Sequence, residues 1–296
     1  MARTLLFLYA ESPVHAGADS SAGAVDLPMQ RDGHTGLPVI WGQSLKGALR
    51  THAFPLWGSE PDAVKAFGAA PPKSGDGGGD LTPGTLSIGD AELVAFPVPT
   101  LVETYAWVTS QLTLARLERK AALADVETAA GRLAKPDSNV ALVAHTRWTG
   151  ERVVLGPYVV NGRQDPAVSA WAGWLARTGL PGERQPAERD IHLVFRTKLA
   201  ADLVLVAEPL LARCTVECAE VTPRVQLKVG VKTVEHGPFY TEYLPTESLL
   251  AAVVEGSAEH LARLRQLLDG EVLRVGGDET IGKGLMWCRF AGAVTS

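Results

Sequence analysis

The hydrophobic positions of this 296-residue chain fall partly into short apolar runs, typical of strands, and partly into stretches with helical spacing. Residues 4–10 form a strongly apolar run and predict a buried central strand. Other runs predict extended segments at 37–41, 85–96, 152–160, 191–195, 239–244, 249–254 and 285–290. Helical spacing predicts helices at 45–52, 107–133, 167–177 and 258–268, and residues 203–212 suit either element. Strands and helices are therefore intermixed, which indicates an α+β or α/β fold without a clear domain boundary.

Two segments depart from this intermixed pattern. Residues 214–234 alternate between apolar and polar side chains and predict a β-hairpin. Residues 71–84 are instead rich in glycine, proline and aspartate. Burial of so few apolar groups cannot offset the entropy lost when the segment becomes ordered. We therefore expect a mobile loop at about 70–84.

The start of the helix predicted at 45–52 carries an unusual arrangement of charge. Ser44 is a suitable N-cap, and Lys46 and Arg50 lie four residues apart, so that they project from one side of the helix. Two cations near the positive end of a helix dipole are unfavourable on their own. We therefore expect an anion close to this helix start.

The charge balance argues against a free-standing nucleic-acid binder that ignores sequence. The chain has 28 Lys and Arg against 33 Asp and Glu, a formal net charge of −5, whereas such binders normally depend on a strong positive field. A local basic groove, or positive surface supplied by neighbouring subunits, would still permit RNA binding. Hydrophobic residues at 46% and charged residues at 21% are ordinary for a globular fold.

Cysteine usage and hydropathy indicate the compartment. The chain has an odd number of cysteines, Cys214, Cys218 and Cys288. Cys214 and Cys218 have no second Cys/His pair at zinc spacing, and we interpret the cysteines as small buried hydrophobes. The apolar run near the N-terminus is short for a signal peptide, and Glu11 interrupts it. No stretch approaches the roughly 20 apolar residues of a membrane span. We expect a cytoplasmic protein that does not bind a membrane.

The glycine-rich segment 276–284 matches most of a phosphate-binding P-loop, through Gly277, Gly282 and Lys283. However, Gly284 stands where a magnesium-binding hydroxyl is needed, and two acidic residues inside the segment would repel phosphate. Only twelve residues follow Gly284, too few for the helix and sheet of that fold. A turn whose backbone amides approach a phosphate or a neighbouring chain is the better interpretation.

Candidate acid–base or metal-binding groups are scattered along the chain, at His15, Asp26, His34, His52 and Glu242. Taken singly, each residue of this kind is more often a surface or hydrogen-bonded structural group. No serine-centred elbow, paired zinc motif or nucleophilic cysteine signature occurs in the sequence, so the common hydrolases gain no support.

Three segments occur in order and together resemble known motifs. The first reads Asp26-Leu-Pro-Met-Gln-Arg31 and continues as His34-Thr-Gly-Leu-Pro-Val-Ile-Trp-Gly-Gln-Ser-Leu-Lys-Gly-Ala-Leu-Arg50. The second and third are Val231-Lys-Thr-Val-Glu-His-Gly-Pro-Phe-Tyr-Thr-Glu-Tyr-Leu-Pro245 and Gly276-Gly-Asp-Glu-Thr-Ile-Gly-Lys-Gly284. They resemble the RAMP superfamily, specifically the repeated backbone subunit of the type III-B CRISPR effector, the Cmr complex. The resemblance extends from about residue 4 to residue 290.

This resemblance implies a ferredoxin-like, RRM-type palm with inserted fingers and a thumb hairpin, within a single domain of residues 1–296. The hairpin at about 214–234 would be the thumb, and the loop at about 70–84 a finger insertion. Copies would stack head to tail along a guide RNA, together with other subunits of the effector complex. Their thumbs would wedge into the guide–target duplex at regular intervals, and the basic groove then needs to be only local.

The resemblance also implies an activity, a metal-dependent endoribonuclease that cleaves target RNA in the assembled complex with Mg²⁺ or Mn²⁺. Asp26 falls on the aspartate regarded as essential and would either hold the metal or accept a proton. His15 and Glu242 fall near the same site, although relatives often carry a second acid where this chain has Tyr243. Residues that resemble RNA contacts are Ser44, Lys46, Arg50, Gly282, Lys283 and Gly284.

Two alternatives remain open at this stage. A non-catalytic RNA-binding scaffold of the same superfamily would keep the RNA contacts without the cut, and Asp26 distinguishes it from the nuclease. A nucleotide-binding enzyme with a P-loop-like segment at 276–284 is the alternative from another class.

Overall fold

A computed structural model describes residues 1–18, 25–69, 82–129, 131–182, 190–228, 230–231 and 233–292. Most of the loop expected at 70–84 therefore lies outside the described residues. Within the described ranges, none of the helices has the length and apolar character needed to span a membrane.

The strands in chain order are β1 (Ala2–Ala10), β2 (Val39–Ile40), β3 (Ser87–Ile88), β4 (Ala91–Pro99), β5 (Tyr105–Ser110), β6 (Val140–Val143), β7 (Gly150–Leu155), β8 (Tyr158–Gln164), β9 (Leu203–Val206), β10 (Glu220–Leu227), β11 (Val234–Tyr243), β12 (Leu249–Gly256), β13 (Val272–Arg274) and β14 (Leu285–Ala291). The α-helices are α1 (Gly42–Ala53), α2 (Glu60–Phe67), α3 (Gln111–Leu123), α4 (Pro166–Thr178), α5 (Leu193–Asp202), α6 (Glu208–Glu217) and α7 (Ala258–Leu268).

The palm is an antiparallel sheet with the strand order β14-β1-β12-β4. Helix α1 follows β1 in the chain, and α7 connects β12 to β14. This is the β-α-β-β-α-β arrangement of the ferredoxin-like fold. The predicted α+β class with a ferredoxin-like palm is confirmed.

A long insertion separates β4 from β12 and carries the sheet further, in the order β5-β9-β6-β8-β7. Within it, β5 pairs with β9 and β6 with β8 in parallel, whereas the other pairs are antiparallel. The insertion ends in a separate two-stranded sheet of β10 and β11. We call this pair the hairpin.

Strand β1 lies between two hydrophobic cores, because successive side chains of a strand point to opposite faces. Leu6 and Leu8 pack in the core that contains the buried faces of α1 and α7. Leu5 and Phe7 pack in a second core with α3 and α4. Both faces of β1 are therefore covered, which explains why its sequence reads as a continuous apolar run.

Most predicted elements are confirmed, including the first and last strands and the helices at 167–177 and 258–268. The helix predicted at 107–133 was wrong at both ends. Residues 107–110 belong to β5, which pairs with β4 and β9, and Ser110 caps α3 by accepting a hydrogen bond from the backbone N–H of Thr113. Sheet pairing at Trp107 thus overrides the helical spacing of the local sequence.

The strand predicted at 191–195 was also wrong, because α5 begins at Leu193. Ile191, Leu193 and Val194 are exposed, so this apolar run does not bury the alternating face that a strand would use. A short apolar run by itself does not separate a strand from a helix.

The hairpin occurs later in the chain than predicted, at 220–243 instead of 214–234. Residues 214–217 end α6, where Leu210, Leu211 and Cys214 are buried at helical spacing. The interpretation of the cysteines as buried groups holds for Cys214 and Cys288, which are free thiols, whereas Cys218 is partly buried. Burial raises the pKa of the Cys214 thiol to about 12, so it stays protonated.

Shortening one buried side chain of β1 tests the two-core arrangement. Leu6→Ala should lower the free energy of unfolding by about 2–5 kcal/mol, because Leu6 is fully buried and its loss leaves a cavity. Urea denaturation followed by circular dichroism measures the change. Leu101→Ala is the matched control: this leucine is 85% exposed and should change stability by less than about 0.5 kcal/mol. Equal losses in the two variants would contradict the assigned core.

Candidate functional site

The hairpin is exposed along most of its length and buried at its base. In β11, residues 234–240 are exposed and residues 241–243 are buried. The exposed part carries apolar side chains that ordinarily lie inside a protein, at Val221, Val225, Val234, Phe239 and Tyr240. The hairpin therefore presents an apolar surface on a firmly anchored base.

One edge of β11 pairs with β10, and the segment at Asp26–Leu27 pairs with the other edge. The backbone N–H groups of Asp26 and Leu27 both donate to the carbonyl of Tyr240, at 3.1 Å each. The N–H of Glu242 in turn donates to the carbonyl of Leu27 at 2.9 Å. Residues two apart in a strand direct their backbone groups to the same edge. The loop that carries Asp26 is thus a short addition to the base of the hairpin.

Asp26 is exposed beside the hairpin. Its Oδ2 accepts a hydrogen bond from the backbone N–H of Tyr240 at 2.8 Å. This bond orients the carboxylate while leaving it accessible from solvent. An oriented and accessible carboxylate suits a group that must bind a cation or accept a proton.

His15 lies on the same edge of β11. Its Nδ1 lies 2.8 Å from the carbonyl oxygen of Glu242, and its ring packs edge-on against Tyr243 with centroids 5.6 Å apart. Because a carbonyl oxygen can only accept, this bond places a proton on Nδ1. A neutral ring then presents Nε2 as its basic nitrogen.

Glu242 differs from the other two candidates because it is buried, with 6% of its surface exposed. Its Oε1 forms an ion pair with the Nη2 of Arg31 at 2.6 Å, and its Oε2 accepts from the backbone N–H of Met29 at 3.1 Å. Both carboxylate oxygens are therefore engaged with the segment that follows Asp26. The structure brings His15, Asp26 and Glu242 to one edge of β11, but only Asp26 is exposed there.

Gln30 also belongs to the site, although its role is not evident from the sequence. It is 4% exposed, its Oε1 accepts from the backbone N–H of Trp41 at 2.8 Å, and its Nε2 donates to Ser44 Oγ at 3.0 Å. The same Nε2 donates to the carbonyl of Gly17 at 3.1 Å. Gln30 thus joins the Asp26 loop to the start of α1. The signal for this role in the sequence was a polar residue within the first motif, between Asp26 and α1.

The structure corrects the start of α1. The helix begins at Gly42 with Trp41 as N-cap, so Ser44 lies inside the first turn. The N–H of Gly42 donates to Asp90 Oδ1 at 2.6 Å, and this carboxylate is the anion expected at the helix start. A Cβ at Gly42 would come within 2.4 Å of the carbonyl oxygen of Ile88, so the position requires glycine.

The two α1 cations have partners within the chain. Lys46 Nζ donates to the carbonyl of Leu86 at 3.1 Å, and the Arg50 guanidinium lies 5.4 Å from the centroid of the Phe54 ring. A cleft of about 620 Å³ lies between α1 and the segment 272–285. Among the described residues its lining includes Ser44 but neither of the two cations.

The glycine-rich segment fastens the base of the hairpin. Both oxygens of Asp278 accept from Arg224 Nη1 at 2.7 Å, and the hydroxyl of Tyr243 donates to Oδ2 at 2.8 Å. Burial raises the pKa of Asp278, but the bonds from Tyr243 and Arg224 outweigh burial and hold it below its usual value. Lys283 Nζ pairs with Glu220 of β10 at 3.0 Å. Lys283 is therefore partnered within the chain.

The P-loop interpretation does not agree with this architecture. Residues 279–281 form a single 3₁₀ turn, and the chain then enters β14 instead of a helix. Gly284 donates its N–H to the carbonyl of Pro13 at 2.9 Å, and Gly282 is exposed. In a P-loop the glycine-rich turn leads into a helix whose N-terminus holds phosphate. The segment packs against residues 13–15, which follow β1, and against the hairpin.

In the part of the chain that the structure describes, no group of three or more His, Cys, Asp and Glu side chains is placed to hold a metal ion. Among these described residues, Asp26 is an exposed carboxylate that belongs to no such group.

Palm, hairpin and site together define a class of protein. The family model of the RAMP superfamily matches residues 7–287, and the chain belongs to that superfamily. It is 28% identical over 291 residues to the CRISPR system Cmr endoribonuclease Cmr4 of Pyrococcus furiosus. The aligned region covers 95% of this chain and 93% of that protein. The crystal structure of oligomeric Cmr4 from Pyrococcus furiosus matches with a TM-score of 0.73 at 25% identity and covers 100% of both chains.

The fold also occurs in a larger assembly. A chain in the cryo-EM structure of the type III-B Cmr-beta complex bound to cognate target RNA matches with a TM-score of 0.70 at 19% identity. It covers 98% of this chain and 97% of that chain. The match of the family model to residues 7–287 confirms the RAMP resemblance over nearly the whole sequence.

The turn after Arg31 depends on Asp32. Its Oδ2 pairs with Arg116 of α3 at 2.7 Å and accepts from Thr35 Oγ1 at 2.8 Å, and its Oδ1 accepts from the N–H of His34 at 3.3 Å. Burial opposes ionisation of Asp32, but these hydrogen bonds outweigh it and lower its pKa to about 2. The turn holds Gly36, whose carbonyl accepts from Arg31 Nη1 at 2.9 Å.

Asp32→Asn should therefore destabilise the protein in a pH-dependent way. The folded-state pKa lies below the unfolded value of 3.8, so the stabilisation is fully present above about pH 4 and is lost as the pH falls towards 2. We expect a loss of about 1–2 kcal/mol at pH 7 that shrinks below pH 4. Urea denaturation at a series of pH values measures it. A loss that stayed constant down to pH 2 would contradict the ionic role, and Asp137→Asn on an exposed loop is the control.

Proposed function

We propose that this chain is the backbone subunit of a cytoplasmic type III-B CRISPR effector. It binds guide RNA as a head-to-tail filament with copies of itself and other subunits, and it cleaves complementary target RNA at regular intervals. The observation that carries the proposal is the 28% identity, over 95% of the chain, to a relative named as a Cmr endoribonuclease. The match to oligomeric Cmr4 supports self-association.

The hairpin suits the insertion of a protein element into a nucleic-acid duplex. Its exposed apolar and aromatic side chains, which include Phe239 and Tyr240, offer flat surfaces on which bases stack. Its base is held by the ion pair of Arg224 with Asp278 and by the buried residues 241–243. A rigid wedge of this kind would splay one target nucleotide next to Asp26, because the Asp26 loop pairs with the same strand.

The splayed nucleotide provides the geometry for cleavage by its own 2′-hydroxyl. In this reaction the 2′-oxygen forms a bond to the adjacent phosphorus and the bond from phosphorus to the 5′-oxygen breaks. The 2′-hydroxyl loses its proton to a base, and the departing 5′-oxygen gains one. Asp26 is the exposed carboxylate that would accept the 2′ proton or hold the metal. His15, when protonated on both ring nitrogens, would donate its Nε2 proton to the departing 5′-oxygen. The products would carry a 2′,3′-cyclic phosphate and a 5′-hydroxyl.

The divalent metal that the family resemblance implies is compatible with a single carboxylate. Mg²⁺ is commonly held by one or two carboxylates together with phosphate oxygens of the substrate. Asp26 would hold it with the RNA, and the bound cation would neutralise the charge that develops on the phosphate.

Guide binding is proposed to use the RNA contacts that the resemblance indicates. Ser44 lines the cleft beside α1 together with Gly276 and Glu279 of the glycine-rich segment, and Gly282 of the same segment is exposed. Lys46 and Arg50 would contact guide phosphates from the flank of the helix, and Lys283 from the hairpin base. Gly284 is buried and its N–H donates to the carbonyl of Pro13, so it would support the turn instead of contacting RNA.

Asp26→Ala tests the nuclease against a scaffold of the same superfamily. In the complex reconstituted with guide RNA, this variant should reduce target cleavage at least about 10²-fold while guide affinity remains unchanged, because the carboxylate acts on the target. Single-turnover assays with end-labelled target RNA measure the first effect and filter binding the second. Asp137→Ala, an exposed loop aspartate, is the matched control. Unchanged cleavage by Asp26→Ala would favour the scaffold.

Metal removal provides a separate test. Excess EDTA should abolish target cleavage by the assembled complex and leave guide binding intact, since the carboxylate alone cannot neutralise the reacting phosphate. Addition of Mg²⁺ or Mn²⁺ should restore the same ladder of products. Undiminished cleavage in EDTA would contradict the metal requirement without contradicting the role of Asp26 as a base.

A further inference from the structure

We infer that Arg31 is a positioning residue for target-RNA cleavage, which acts by holding the Asp26 loop on the base of the hairpin through the buried carboxylate of Glu242. This inference rests on the proposed function and deepens it. It also assigns Glu242 to the support of the site and not to the chemical step.

Arg31 joins three parts of the chain that are distant in sequence. Its Nη2 pairs with Glu242 Oε1 of β11 at 2.6 Å and donates to the carbonyl of Thr215, in the last turn of α6, at 2.9 Å. Its Nη1 donates to the carbonyl of Gly36 at 2.9 Å and to Thr215 Oγ1 at 3.3 Å. A planar guanidinium can satisfy all of these acceptors at once, and an ammonium cannot reproduce that fork.

Glu242 is occupied by this arrangement. A buried carboxylate is stable only when its charge is compensated and its oxygens accept hydrogen bonds. Arg31 supplies the charge and Met29 supplies a backbone N–H. With both oxygens engaged in this way, the Glu242 carboxylate holds the loop in place. Proton exchange with RNA would require it to break its bonds with Arg31 and Met29.

The connection from Arg31 to Asp26 is short. The loop is fastened to β11 at Asp26–Leu27, through Tyr240, and again at Met29 and Arg31, through Glu242. Loss of the second fastening would leave a buried charge unpaired and free the loop between the two points. Since a displacement of about 1 Å can slow a positioned reaction about 10²-fold, the Asp26 carboxylate is expected to be sensitive to this pair.

The experiment uses the reconstituted complex with guide RNA and measures single-turnover target cleavage from pH 5 to pH 9. Arg31→Ala should cut about 10²-fold more slowly at every pH and keep guide affinity, and Arg31→Lys should recover about a tenth of the wild-type rate. Glu242→Gln should also lower the rate while leaving the shape of the pH profile unchanged. The double variant Arg31→Ala/Glu242→Gln should be no slower than Arg31→Ala, because both substitutions remove the same ion pair.

The chain contains a matched control for this pair. Arg3 and Glu255 form an ion pair of the same residue types at 2.7 Å on an exposed surface, in β1 and β12. Arg3→Ala and Glu255→Gln should cleave at the wild-type rate.

Three results would overturn the inference: wild-type cleavage by Arg31→Ala, additive losses in the double variant, or loss of one limb of the pH profile in Glu242→Gln. The last would make Glu242 an acid or base of the reaction. If Arg31→Ala does not assemble, Arg31→Lys decides, since wild-type cleavage by that variant contradicts the need for the fork. A wild-type complex that does not cut target RNA would instead contradict the proposed function.

Discussion

The backbone edge of β11 opposite β10 is the constraint on which the candidate site depends. Buried N–H and C=O groups need partners, and at the base of the hairpin these partners come from the segment at Asp26–Leu27 and from His15. Satisfying one strand edge therefore assembles a histidine, an exposed aspartate and a buried glutamate from two ends of the chain. The same pairing fixes the distance of the Asp26 loop from the apolar surface of the hairpin.

Ion pairs inside the chain occupy several of its cations, so a single copy has little positive charge left for RNA. Several of its cations are used for internal support, in the pairs Arg31–Glu242, Arg116–Asp32, Arg224–Asp278 and Lys283–Glu220. These pairs hold the hairpin, the Asp26 loop and the turn that follows it. A continuous positive path for the guide backbone would then come from the repetition of a local groove along a filament, which is consistent with the net charge of −5.

The ferredoxin-like palm separates folding from function. Its two cores, on opposite faces of β1, provide the stability, and the hairpin and the glycine-rich segment lie at one end of the strands. The glycine-rich segment supports the hairpin through side chains, since Asp278 binds Arg224 and Tyr243 and Lys283 pairs with Glu220. The exposed Asp26 and the buried Glu242 are neighbours here, so the roles we propose for them follow from exposure more than from residue type.

The sequence by itself determined the strong apolar strands, the helices with clear spacing, the family, and the motif in which Asp26 lies. These properties depend on local periodicity and on short segments of fixed residue order. It did not determine that residues 107–110 form a strand instead of a helix, or that residues 193–195 form a helix instead of a strand. It also did not determine that Asp90 supplies the anion for α1, or that Glu242 is buried against Arg31. Those outcomes depend on contacts between residues far apart in the chain, 211 positions for the last pair. Only the tertiary structure decides them, because burial and hydrogen bonding with distant partners outweigh local preference.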